Sequence, residues 1–472
     1  MKIIVYAVVG CSLMAGCSSQ GDGNESVGSS SQELNGQLGS RSNLTRKTLA
    51  LEPASLQNDE SIRQGETLEY YNSVGVAANG STTGAVPNCT DAQGAAVAAP
   101  RTIKRCLNTL DDFIKVYGFS AAHTTAFYYN RGDLGIGREM HCIDRTSTTG
   151  EIACYVKNFA AGDDNSEFTF GMSKDIAFRN MATQNAFATV AMVYRHAVPA
   201  GGANRVLFAV YGKSGTLINA AALDRHGINF NNEFAGVVDG TPNPNPNPSI
   251  FGEPGVNFNN HIPTNCISCH GGDAYDAASN SQKGALFLPF DLDQFEYEDA
   301  PTRTKESQLG QFRALNQIVR KVATQSEIRS ETPAATNVKN QIDGWYPDSS
   351  NSFNSAFVPT GWKQNPAAES VYRSVVRSNC RGCHMTSKFF PFNTEGEFLP
   401  RASNIADLLC RYEMPHALQT VREFWQSPAP SALRSYFQNS NNGAAASTLG
   451  ACGPGNIATL DPPQILASAS AL

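Results

Sequence analysis

The chain has 472 residues, 41% of them hydrophobic and only 17% charged, against a usual charged share of about 25%. Its 36 Lys and Arg against 42 Asp and Glu leave a net charge of −6. There is no cationic excess to neutralise phosphates, which argues against a dedicated nucleic-acid binder, and the length excludes a small stapled scaffold while allowing roughly three domains of about 150 residues.

Residues 1–16 open with Lys2 and run apolar from Ile3 to Gly16. That fits the core of a signal peptide and falls short of the roughly 20 residues of a spanning helix. The string Leu13-Met14-Ala15-Gly16-Cys17 resembles the lipobox of bacterial lipoproteins. The resemblance implies a lipid on Cys17 and, with Ser18 rather than Asp next, an outer-membrane anchor facing the periplasm or the exterior. Ordinary signal cleavage is the alternative, since Met14 stands where Leu is commoner. Residues 17–85 are rich in Ser, Gly, Asn and Gln and read as a flexible tether.

Residues 86–238 read as a β-rich domain. Ile103, Leu107, Leu110, Phe113 and Ile114 have helical spacing and predict a helix over Ala99–Tyr117. Short runs rich in Val, Phe, Tyr and Ala then predict strands at Thr125–Asn130, Ile152–Asn158, Phe187–Tyr194 and Val206–Tyr211. Alternate prolines from Asp239 to Pro248 mark residues 239–257 as a linker or loop. Two modules follow, 258–360 and 361–472, with helical patterns near Glu306–Ser326, Pro366–Arg377, Ala417–Trp425 and Ala432–Phe437. The fold class expected is α+β, a β-rich part followed by a mostly helical one.

Twelve cysteines need places. Cys266-Ile-Ser-Cys269-His270 and Cys380-Arg-Gly-Cys383-His384 both spell C-x-x-C-H, the attachment signature of c-type haem. Two thiols at that spacing add to the two porphyrin vinyls, and the adjacent histidine binds iron. A redox dithiol would need neither that histidine nor a second copy, and zinc would need four ligands from two distant segments. Cys11 leaves with the signal and Cys17 takes the lipid. The remaining six, Cys89, Cys106, Cys142, Cys154, Cys410 and Cys452, suit three disulfides, and nearest-neighbour pairing is the simplest of 15 connectivities.

A helix running into C-x-x-C-H, then loops, then a Met and a closing helix makes the second module resemble a class I cytochrome c domain. The resemblance implies His384 and Met414 as its axial ligands, Met414 lying in Tyr412-Glu-Met-Pro-His416. His416 and Met385 are the other candidates, Met385 reading as packing beside the ring. Residues 271–379 contain neither His nor Met, so the iron on His270 takes its sixth ligand from elsewhere or has none. Met140-His141, beside Cys142, is the first candidate. His261, His226, Tyr275 and Tyr297 are the others.

These features predict two covalently bound haem c groups in a membrane-anchored electron carrier that serves redox partner proteins. The alternative is a haem enzyme with an open first haem, on the resemblance of two C-x-x-C-H motifs in one chain to bacterial di-haem peroxidases. Trp345, Trp362 and Trp425 lie near the motifs, with core packing the favoured reading over electron relay.

Overall fold

The computed structural model describes residues 107–133, 135–159, 173–196, 204–217, 237–238, 241–242, 262–273, 275–276, 279, 281–388, 390–411 and 417–452, together with 67, 70, 71, 74 and 76. In chain order these form α1 (Leu110–Tyr117), β1 (Thr124–Asn130), β2 (Ile136–Arg145), β3 (Glu151–Phe159), α2 (Lys174–Ala182), β4 (Ala188–Arg195), β5 (Val206–Gly212), a short hairpin of β6 (Val237–Val238) and β7 (Thr241–Pro242), α3 (Thr264–His270), β8 (Phe295–Glu296), α4 (Leu309–Ala323), α5 (Ser326–Glu331) and α6 (Ala334–Trp345). Then come α7 (Pro366–Val371), a π-helical turn over Tyr372–Val376, α8 (Arg377–Asn379), α9 (Arg381–His384), α10 (Glu395–Phe398), α11 (Ala402–Arg411), α12 (Leu418–Gln426), α13 (Ala429–Asn439) and α14 (Gly443–Ala451). The class is α+β.

The six-stranded sheet has the order β5-β4-β3-β2-β1-β8, antiparallel throughout. Side chains from outside the sheet occupy backbone groups at both of its ends, which blunts the template for pairing with another chain. Along β5 the backbone N–H groups of Phe208 and Val210 donate to the hydroxyls of Tyr70 and Tyr71, at 3.0 and 3.1 Å. At β1 the Gln308 amide imitates a strand, accepting from Phe127 N at 2.7 Å and donating to Phe127 O at 3.0 Å, beyond the pairing of β8 with Tyr129 and Asn130.

Four strands lie where the sequence places them, within one or two residues, and β2 joins them between β1 and β3. The first helix differs. It begins at Leu110, because Thr109 caps it: the Thr109 hydroxyl accepts from Asp112 N and the Asp112 carboxylate accepts from Thr109 N. That reciprocal pair satisfies two otherwise orphaned donors and stops the helix there, while Leu107 is buried outside it. The rest of the expected span, 99–106, lies outside the described residues.

Alternation along β2 divides its side chains between the two faces of the sheet. Arg138, Met140 and Cys142 share one face with their register partners Tyr128 and Cys154. This face meets α4, where Tyr128 packs edge-on against Phe312. Glu139 and His141 point to the opposite face, which carries α1 and α2. One hydrophobic core runs from the sheet through Ile262, Ile267, Ala285–Phe287 and α4 to Trp345 and Met385. A second holds Trp362, Val371, Val375, Val376 and the helices up to Leu449. Disulfides join Cys142 to Cys154, directly opposite each other on β2 and β3, and Cys410 to Cys452. Cys89 and Cys106 lie outside the described residues.

Candidate functional site

Both C-x-x-C-H segments are helical. The first ends α3, and the second is Cys380, which directly follows α8, together with all of α9. None of Cys266, Cys269, Cys380 and Cys383 is in a disulfide. Burial pushes the Cys380 thiol up to about 12, and contact with Cys269, followed by burial, holds Cys383 well above the ordinary thiol range. Neither has the lowered value of a reactive dithiol. Among the described residues no group of three or more His, Cys, Asp or Glu converges to hold a bare metal ion.

The two histidines are held alike. His270 Nδ1 lies 2.7 Å from Leu286 O and His384 Nδ1 lies 2.8 Å from Phe390 O. A carbonyl can only accept, so each Nδ1 carries the proton and each Nε2 presents its lone pair, the tautomer a metal-ligating imidazole adopts. Burial lowers both imidazoles to about 4, the backbone hydrogen bond opposing it. The ring of His384 stacks on Phe392 at 4.1 Å, and Phe392 O in turn accepts from Trp362 Nε1 at 2.9 Å. His270 lies against Phe208, on the sheet face that bears Arg138. Arg138, ion-paired with Asp133, is the cation whose charge reaches His270, Cys269 and Cys383.

Sequence reasoning did not foresee that the two motifs touch. Helices α3 and α9 pack together, with the thiols of Cys269 and Cys383 in hydrogen-bonding contact. Nor did it foresee Arg381, the first residue between the cysteines of the second motif. Arg381 forms a two-pronged pair with Asp291, Nε to Oδ2 at 2.7 Å and Nη2 to Oδ1 at 2.6 Å, and both side chains are only 3–4% exposed. Its Nη1 donates to Tyr372 OH at 3.1 Å and its guanidinium lies over Trp345. The signal available in the sequence was an acidic FDLD run after the first motif and an Arg inside the second.

His141 is engaged at both ring nitrogens: Nε2 with Glu139 Oε1 at 2.8 Å, and Nδ1 with His123 Nε2 at 3.0 Å and Thr125 Oγ1 at 3.2 Å. It stacks on Tyr155, on the face opposite the motifs, and none of these partners belongs to a motif. The neighbours Met140 and His141 therefore do not act as a unit, because a strand sends successive side chains to opposite faces; of the two, Met140 shares the face of Arg138 and Phe208. Tyr275 packs edge-on against Tyr70, whose hydroxyl feels the charge of Cys266. Tyr297 packs on Phe312 and donates to Leu292 O. Met385 is buried in the first core, and all three tryptophans are buried. Met414, His416, His226, His261 and Cys17 lie outside the described residues. No helix among the described residues is long and apolar enough to cross a membrane.

Compared with protein families, curated proteins and solved structures, the chain matches none.

Proposed function

We propose that the protein is a di-haem c-type cytochrome that passes single electrons between redox partners. The observation that carries this reading is the shared state of the two motifs: a pair of thiols on a helical turn beside a histidine whose Nδ1 is tied to a carbonyl and whose Nε2 is presented. The donor set fits haem c. Cys266 and Cys269 would hold one group with His270 on its iron, and Cys380 and Cys383 the other with His384. When bound, haem c supplies a reversible one-electron Fe(III)/Fe(II) couple.

The chain's own residues orient and tune. Leu286 O and Phe390 O fix the two imidazole planes, and hydrogen bonding at Nδ1 raises the basicity of Nε2. Phe208 and Phe392 pack against the rings and exclude water from the histidines. Arg138, offset in part by its partner Asp133, places a positive charge beside the first motif, which would favour the reduced form of an iron held there. The sixth ligands belong to the same proposal: Met414 for the second group, and Met140, on the motif face, for the first. Cys17 as a lipid anchor and an envelope location rest on residues 13–17 alone.

Absorption and EPR spectra of the purified protein, with and without carbon monoxide, test the reading. Two low-spin haems inert to carbon monoxide are expected. A high-spin haem that binds it would overturn pure electron transfer in favour of a haem enzyme.

A further inference from the structure

We propose that Arg381, Asp291 and Gly271 are positioning residues that hold the two attachment motifs against each other, so that the chain carries its haems as one electronically coupled pair rather than as two independent carriers. This rests on the haem reading above and adds the arrangement of the two groups.

Four observations build the contact. The thiols of Cys269 and Cys383 touch, and each is the second thiol of its motif, the one adjoining the ligating histidine. Each of these sulfurs would become a thioether to a ring edge, so sulfurs in contact bring two ring edges together at that point. Thr386, two residues past His384, donates its hydroxyl to Cys269 O and to Cys383 O, tying both motif backbones through one side chain. Gly271, next to His270, has φ +69°, and a Cβ there would stand 2.0 Å from Thr386 O. Any other residue would push the second motif away. Gly382 adds a softer close approach, since a Cβ there would meet Gln294 Oε1, the end of a side chain that donates to Arg377 O.

The Arg381–Asp291 pair locks this arrangement from behind. Asp291 lies in the segment that follows the first motif and Arg381 inside the second, so the pair spans the two modules at their core. A planar guanidinium gripping both carboxylate oxygens fixes orientation as well as distance, which a lysine would not do. Burial makes the constraint unforgiving, because either charge alone would have no solvent to turn to. At the surface Lys388 pairs with Asp273 across the same seam.

The test is circular dichroism in the Soret region on the intact holoprotein, together with its mass. Wild-type protein carrying two haems by mass is expected to give a two-signed Soret couplet, the mark of interacting transition dipoles, and two potentials that shift each other in a redox titration. Gly271→Ala is expected to keep both haems while the couplet falls at least twofold. Arg381→Lys is expected to weaken it with haem content unchanged, and Lys388→Ala, at the exposed end of the seam, to leave it intact. A single-signed Soret band from wild-type protein with two haems attached would overturn the coupled pair and leave the cytochrome reading standing. Absence of covalent haem from the mass would overturn both. Should Gly271→Ala fail to load haem, the wild-type couplet and Arg381→Lys decide the matter.

Discussion

Arg381 and Asp291 show how a single buried residue can matter more for its partner than for itself. Removing Arg381 alone leaves a carboxylate that burial drives toward its protonated form and that has lost its charged partner, keeping only the weaker help of the Asp293 N–H. Arg381→Met is therefore expected to cost about 3–5 kcal/mol in chemical denaturation, and the double replacement Arg381→Met/Asp291→Leu to recover most of that loss. Equal losses in the single and double variants would contradict the pairing. On the other face of the sheet, Glu139 is drawn up by burial but brought down to about 2 by hydrogen bonds from His141, Gln184 and Lys157. A carboxylate held below its ordinary value of 4.5 contributes stability that is present above that pH and lost as the pH falls toward 2. Burial also lowers His141, so the folded state resists a proton the unfolded chain accepts, and its contribution weakens in acid as well. Melting temperatures from pH 7 to pH 3 should fall more steeply for wild-type protein than for Glu139→Gln. Parallel curves would remove Glu139 from the account.

Among the elements, β2 carries the most weight and was the least legible. Its residues include Arg138, Glu139 and His141, polar groups that break an apolar pattern, and they are accommodated only because Asp133, Lys157 and His123 stand opposite them in the fold. Sequence spacing reads local periodicity and is blind to such partners. The Cys142–Cys154 bond was readable by nearest-neighbour pairing, since the antiparallel register sets the two residues face to face. Replacing both with Ser is expected to lower stability by about 2–4 kcal/mol without disturbing the haem spectra. A spectral change would mean that the bond also holds Met140, the sixth ligand proposed on the same strand, in place. The helix into the second motif was legible from Val371, Val375 and Val376, all buried. Its π-turn, a feature that recurs near functional sites, was not.

Over the whole molecule, the two C-x-x-C-H strings were legible, five adjacent residues spelling each, and the haem chemistry is what we propose for them. The contact between them was not, because Arg381 and Asp291 are 90 residues apart and nothing in either neighbourhood names the other. The sheet and the first motif share one core while the second motif opens onto another, with Met385 of the second packed into the first. The C-x-x-C-H motifs thus lie at a seam between these two cores. Whether the chain carries two haems is decided by the intact mass of protein produced in a host that matures c-type cytochromes, read beside alkylation of its thiols. The polypeptide plus two haems is expected, with Cys266, Cys269, Cys380 and Cys383 protected from alkylation and one haem lost in Cys266→Ala/Cys269→Ala. A mass equal to the polypeptide alone, with those four thiols reacting, would contradict it.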